Sequence, residues 1–377
     1  MVLKRPIVGS ARAVYHRLVP FDLRMRVWTF RRHLAFAPDR LPGRGASPTE
    51  RIAIRFIGKR ALRASGFAQA VLRHTAGLDP SHAMLRTWIE YPLGTNQRGE
   101  EAVRVVRQRV GVAGARSLDI GCAYGGTPIA FARAGADAYG LELDPGLLGL
   151  ARANLADHPG LSCTLLTGDI LQPEVAQSLG QFDIITCDNV IEHVERASRL
   201  VETIAHMLRP GGVCVMGIPN PFSYLEVLHD GHYALFGLTL LDREQAIAYF
   251  VDAGHTDPYG VGEYTFTLND YAEMFDQQGL TCALLNGQVY SSGEVAALKA
   301  RLPALRGRFA ALVNEGKIPV AAQPQIERGL DRYLAGFDTR YAAYHSAPTR
   351  AAAATLGGRL LIDYQQDQWQ VLIRHRG

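Results

Sequence analysis

The sequence predicts an α/β fold, a doubly wound parallel sheet flanked by helices, on three observations. Residues 118–126 read Leu-Asp-Ile-Gly-Cys-Ala-Tyr-Gly-Gly, a short apolar strand that breaks at Gly121 and restarts as a helix after Gly126. A second apolar strand, residues 138–141, is closed by the carboxylate of Glu142. Strand-like and helix-like stretches then alternate through the middle of the chain, the pattern that winds a parallel sheet. A glycine turn after one strand and an acid at the tip of the next form the nucleoside-binding half of such a fold. Glycine lets a ligand approach backbone where a Cβ would collide, and a carboxylate can accept from both ribose hydroxyls.

The elements follow in order. Leu23, Val27, Phe30 and Leu34 recur at helical spacing with Trp28 beside them, while Arg24, Arg26, Arg31 and Arg32 fall mostly on other faces. Ser47-Pro48-Thr49-Glu50 reads as a capping box with proline at the first helical position, opening a helix to about Thr75. A second helix follows Asp79-Pro80, Tyr91-Pro92-Leu93-Gly94 breaks the chain, and a helix over 98–110 leads into the first strand. A helix is expected over 145–156, with Asp144 before Pro145 as its N-cap, and a strand over 163–166. Residues 182–194, Phe-Asp-Ile-Ile-Thr-Cys-Asp-Asn-Val-Ile-Glu-His-Val, contain a fourth strand. A helix and a turn at Pro210-Gly211 feed a fifth. Polar residues then cluster over 220–233, and a lid-like stretch over 257–265 carries Tyr259 and Tyr264. A helix over 267–279, a strand over 280–285, an Ala- and Arg-rich helical insertion broken at Pro303, Pro319 and Pro324, and an apolar strand over 369–374 complete the chain. The expected organisation is a basic helical region (1–97), a core (98–287), a helical insertion (288–358) and a closing strand (359–377).

The glycine turn separates two ligand classes. A dinucleotide site wants G-x-G-x-x-G with a pyrophosphate on the helix N-terminus. Here Ala123 stands where the second glycine belongs, and Asp119 suits an ammonium group better than a diphosphate. With Thr-Gly-Asp-Ile at 167–170, the 182–194 motif and Leu-Arg-Pro-Gly-Gly-Val-Cys-Val-Met-Gly-Ile-Pro-Asn at 208–220, four motifs fall at consistent spacings. Together they resemble the class I S-adenosylmethionine (SAM) methyltransferases, in the branch carrying Glu-His-Val after strand four. The resemblance covers roughly residues 96–286 plus the final strand. It implies a Rossmann-like seven-stranded sheet whose last strand is antiparallel, and SAM as cofactor. It also implies a cofactor site made of Asp119, Gly121, Cys122, Ala123, Gly125, Glu142, Leu143, Asp169, Ile170 and Asn189. Asp169 would accept from the adenine amino group, and Cys122 is a small loop filler rather than a reactive thiol.

Composition agrees with a cytoplasmic enzyme. The chain has 377 residues and five cysteines without a C-x-x-C pair, so reduced core thiols are expected. No run of eighteen apolar residues is present and the N-terminus does not read as a signal peptide. Residues 1–45 hold ten Lys and Arg against Asp22 and Asp39, a formal +8; the whole chain is +4, so the remainder carries −4. Such a basic amphipathic arm suits peripheral contact with an anionic membrane face or packing on its own domain. Nucleic acid is the poorer reading, because the catalytic region is mildly acidic.

Methyl transfer from SAM is an in-line displacement, so the protein aligns nucleophile and methyl, and a hydroxyl nucleophile also needs a base of near-neutral pKa. His193 is the expected catalytic base. Glu192, His229, Asp230, His232, Tyr233 and Tyr264 are the expected acceptor contacts. Some relatives place an acid three residues before Glu-His and bind a divalent metal. Here that residue is Asn189, and no metal site is expected, although His232 could complete one. The expected acceptor is a saccharide or lipid-linked molecule methylated on oxygen. The alternatives are O- or N-methylation of a soluble natural product or quinone precursor, and a non-catalytic SAM-binding regulator.

Overall fold

The computed structural model describes residues 43, 45–81, 84–194, 196–255, 266–287 and 290–376. The basic stripe over 23–34 and the stretch 257–265, with Tyr259 and Tyr264, lie outside the described residues. Seven strands form one sheet: β1 (Arg116–Ile120), β2 (Asp137–Glu142), β3 (Thr164–Thr167), β4 (Phe182–Asp188), β5 (Leu208–Pro219), β6 (Leu280–Leu284) and β7 (Gln368–His375). Their spatial order is β3-β2-β1-β4-β5-β7-β6. The first five run parallel, and β7 is antiparallel to both β5 and β6. The order reverses between β1 and β4, which opens the ligand crevice at the carboxyl ends of these strands.

The period-two alternation of side chains divides the central strands between two cores. Leu118, Ile120, Ile185, Cys187, Cys214 and Met216 pack on one face with helices Ala197–Met207 and Leu268–Gln277. Ile184, Val213 and Val215 pack on the other with helices Thr95–Arg107 and Gly126–Arg133. Burial on both faces is why β4 and β5 read as continuous apolar runs. A further core lies off the sheet. There Val227, Phe236, Tyr249 and Phe250, from the segment after β5, pack with Leu298, Leu330 and Phe337 of the helices that precede β7. The five cysteines are free thiols. Among the described residues, no helix is long and apolar enough to cross a membrane.

Several elements depart from expectation. The helix expected over 47–75 is three: Pro48–Ile57, Lys59–Ala64 and Gly66–His74. Gly58, at φ 87°, closes the first, and Ser65 caps the third through a hydrogen bond from Ala68 N–H to its hydroxyl. Asp157 accepts from the Ser65 hydroxyl (2.6 Å), Gly66 N–H and Phe67 N–H. A carboxylate on a helix N-terminus thus docks this helix on the core. Pro92 does not break the chain. It sits in the last turn of helix Leu85–Leu93, and only Gly94 separates that helix from the next, which starts at Thr95 rather than Arg98. Pro210-Gly211 is a bulge inside β5, where the pairing jumps from Phe182–Leu208 to Ile184–Val213. Pro324 lies in the first turn of helix Gln323–His345, where its missing N–H costs nothing. The insertion runs past 358, because helix Arg350–Tyr364 continues through Gly357-Gly358. Gly357 is required there by packing, since a Cβ would lie 2.3 Å from the Tyr290 ring.

Candidate active site

The glycine loop is fixed by backbone bonds to the neighbouring strand. Gly121 and Cys122 N–H both donate to the Leu141 carbonyl, and Gly125 N–H returns to the Cys122 carbonyl. Gly121 and Gly125 hold φ of 71° and 74°, which favour glycine, and Ala123 adopts φ 42° as a non-glycine residue. That conformation is held by Glu142, whose Oε2 accepts the Ala123 N–H at 2.8 Å while Oε1 accepts the Asp144 N–H at 3.0 Å. Glu142 therefore shapes the loop as well as presenting a carboxylate, a role that its place at a strand tip did not reveal. Cys122 is buried, and burial pushes its thiol far above the ordinary range, so it is an inert filler.

Asp119 lies beneath this loop, 7 % exposed, and accepts from the Thr186 hydroxyl at 2.7 Å. Burial raises it to about 7, against the Thr186 hydrogen bond and with repulsion from Asp188. An ammonium group beside a buried carboxylate of this kind would favour its charged form. Leu143 follows Glu142 and is 55 % exposed, Ile170 is buried in the core, and half-buried Asp169 accepts from Leu171 N–H and the Gln172 side chain. The surroundings thus change across the crevice from buried acid (Asp119) to strand-tip acid (Glu142) to exposed apolar surface (Leu143). This order suits a ligand with an ammonium, a ribose and a flat base.

Beyond β4, Asn189 takes φ 54° and bonds on both sides: its Oδ1 accepts from Gln368 Nε2 at 2.8 Å, and its Nδ2 donates to the Tyr91 hydroxyl at 3.4 Å. Tyr91 and its neighbours were missed by sequence reasoning. Its ring lies edge-on to Tyr124 of the glycine loop, with the Arg98 guanidinium 3.8 Å above it. The N-terminal helices therefore bring one aromatic ring, Tyr91, and one cation, Arg98, against Tyr124 of the glycine loop. No motif in the sequence announces them.

Glu192 and His193 lie in a single 3-10 turn after Asn189. Glu192 is 1 % exposed, and neither carboxylate oxygen has a hydrogen-bond partner among the described residues. Burial, with repulsion from Asp188 and Glu226, raises it to about 8. His193 Nε2 is 3.8 Å from Glu192 Oε1. Burial, then the adjacent His232, lowers His193 to about 4, so the imidazole is neutral near pH 7. This corrects the near-neutral value expected of it, and leaves a ring that accepts a hydrogen bond but takes a proton less readily.

The acceptor-side residues separate into groups. His232 reaches His193, with ring centroids 4.9 Å apart and planes near perpendicular. Asp230, expected as an acceptor contact, is 1 % exposed and spends its oxygens on the N–H groups of His232, Tyr233 and Leu235. It fixes the loop that delivers His232. Tyr233 packs its ring on Phe250 (4.6 Å), and His229 is exposed at the end of helix Tyr224–Leu228.

The chain is similar to several known proteins. Residues 118–214 match the model of a family described as a methyltransferase domain. A protein of Psychrobacter arcticus named ubiquinone biosynthesis O-methyltransferase is 39 % identical over 138 residues, covering 36 % of this chain and 52 % of that protein. A protein of the same name from Methylococcus capsulatus is 33 % identical over 136 residues, covering 35 % and 56 %. The chain spans about half the length of these curated relatives. Among solved structures, magnesium protoporphyrin IX methyltransferase from Synechocystis with bound SAH is similar at 20 % identity over 59 % of this chain and 88 % of that one, with a TM-score of 0.38. Residues 118–214 thus match a methyltransferase domain, and the seven-stranded sheet with β7 antiparallel is the one expected of the class I SAM-dependent kind.

Proposed function

We propose that the chain is a SAM-dependent O-methyltransferase acting on a small hydroxylated molecule, with a phenolic quinone precursor as the first acceptor class. The observation that supports this reading is His193, a neutral, half-buried imidazole in the turn beyond β4, the strand that lies beside β1 and its glycine loop. The names of the relatives support a quinone precursor over the saccharide or lipid-linked acceptor expected from the sequence.

SAM, when bound, supplies a methyl group on a cationic sulfur. The chain's own residues do the rest. Asp119 offers the buried carboxylate that an ammonium group would neutralise, and Glu142 offers lone pairs to ribose while keeping Ala123 in place. Asn189, held by Gln368 and Tyr91, forms the wall between cofactor and acceptor. His193 accepts the hydrogen bond of the incoming hydroxyl, orients its oxygen toward the methyl and takes its proton as the oxygen–methyl bond forms and the methyl–sulfur bond breaks.

His193→Ala should lower turnover on a phenolic acceptor roughly 10²–10⁴-fold with SAM affinity nearly unchanged. Steady-state rates with calorimetric SAM titration check this. A variant with full turnover would return His193 to a structural role.

A further inference from the structure

Resting on the methyl-transfer reading, we infer that Asn189 donates a side-chain N–H to the acceptor oxygen as that oxygen loses its proton, and that Gln368 is the positioning residue that turns the amide this way. Which end of a side-chain amide is nitrogen is set by its partners. Gln368 Nε2 lies 3.1 Å from Asp188 Oδ1 and 2.8 Å from Asn189 Oδ1. A carboxylate oxygen accepts, so the end of Gln368 that faces Asp188 is its N–H2. The atom that the same N–H2 meets on Asn189 is then the carbonyl oxygen. The Asn189 N–H2 is left on the other side, toward Tyr91.

The bridge is built into the sheet. Asp188 closes β4 and Gln368 opens β7, with β5 between the two strands. Gly217 of β5 lies opposite Asp188. A Cβ there would collide with the Asp188 carboxylate and stand 2.7 Å from Gln368 Nε2, so glycine leaves room for the crossing. The backbone of Asn189 is pinned too, at φ 54° with its N–H on the Gly217 carbonyl at 3.1 Å. Further amides hold Gln368 from behind: its carbonyl accepts from Asn286 Nδ2 and Gln366 Nε2, both at 2.9 Å.

The Asn189 N–H2 carries two hydrogens but has one contact among the described residues, the Tyr91 hydroxyl at 3.4 Å. Tyr91 packs edge-on to Tyr124 of the glycine loop, so the donor faces the glycine-loop side, where the proposed cofactor lies. An acid in this place would repel an oxygen that is becoming anionic. A neutral donor fixed beforehand stabilises it, as such donors do wherever charge develops in a reaction. The acceptor proton goes to His193, the oxygen–methyl bond forms and the methyl–sulfur bond breaks, and Asn189 exchanges no atom.

The test follows methyl transfer from SAM to two phenols, one with an ordinary pKa of about 10 and one acidic enough to be ionised already at the assay pH. Asn189→Ala removes the donor. Gln368→Glu offers Asn189 an acceptor instead of a donor and so turns its amide over. Each variant should lower kcat about tenfold or more on the ordinary phenol and about threefold or less on the acidic one. The melting temperature should stay near that of the wild type, SAM affinity should change less than kcat, and the double variant should be no slower than the slower single one. Equal losses on both phenols would overturn the donor role, and a Gln368→Glu enzyme as fast as the wild type would overturn the positioning role. Should Gln368→Glu fail to fold, Gln368→Ala unlocks the same amide and is judged by the same two phenols. A wild type that binds SAM and methylates neither phenol would overturn the methyl-transfer reading, and the roles of both residues with it.

Discussion

Glu142→Ala is expected to weaken SAM binding by about 3 kcal/mol, more than a hundredfold in Kd. Two charge-assisted hydrogen bonds to ribose account for roughly 2–3 kcal/mol. The structure adds a second cost. Ala123 at φ 42° and the Asp144 turn each lose the carboxylate oxygen that accepts their N–H. Without it the loop loses a bond that holds an unfavourable backbone conformation. Glu142→Gln should fall between the two, because one amide oxygen still accepts. Calorimetric titration with SAM checks both variants, and unchanged affinity in Glu142→Ala would remove this residue from the cofactor site.

Gly99→Val is expected to cost stability by about 3 kcal/mol or more, through overpacking against backbone. Gly99 lies inside helix Thr95–Arg107, where a Cβ would stand 2.2 Å from the Gly126 carbonyl oxygen. Reciprocally, a Cβ on Gly126 would stand 2.3 Å from the Thr95 carbonyl oxygen. Both obstacles are main chain, so neither helix can yield without separating from the other. The milder Gly99→Ala carries a sharper sign. Alanine in an exposed helix interior gains about 0.8–1.0 kcal/mol over glycine, yet here the substitution should lower the melting temperature. SAM affinity should fall with it, because helix Gly126–Arg133 starts where the glycine loop ends. Thermal denaturation decides the matter: a Gly99→Ala protein as stable as the wild type would show that the helices part freely.

The fold was readable where the chain repeats a local rule. Strands β1 and β2 stand within about a residue or two of their expected places because each is an apolar run bounded by glycine or acid, and β4 lies inside its motif. Helix Pro145–Ala156 lies where expected because Asp144 and Pro145 mark its start, and Asp144 Oδ1 does accept the Gly146 N–H. What was not readable depends on tertiary contact. Gly58 and Ser65 interrupt a pattern that looked like one helix, since Asp157, about ninety residues on, pulls the third piece onto the core. The close approach of Gly99 to Gly126 leaves no sign in the helical pattern of either segment.

The site shows the same division. Asp119, the glycine loop and Glu142 are brought together by adjacent strands, so their order in the chain already implied their meeting. The meeting of His193 and His232 depends on an Asp230 turn whose hydrogen bonds leave no trace in hydrophobic periodicity. Asp230 was expected to face the acceptor because it is polar and lies beyond a strand end. It is buried instead, and its neighbour His232 faces the site. Tyr91 and Arg98 come from helices whose direction over the crevice no local pattern specifies.

The most direct measurement is methyl transfer itself: wild-type protein, SAM and a panel of phenolic quinone precursors, with products followed by mass spectrometry. The expected result is an acceptor heavier by one methyl group on oxygen, formed one-for-one with S-adenosylhomocysteine and absent without protein. Protein that binds no SAM by calorimetry, and yields neither product with any acceptor in the panel, would contradict the account.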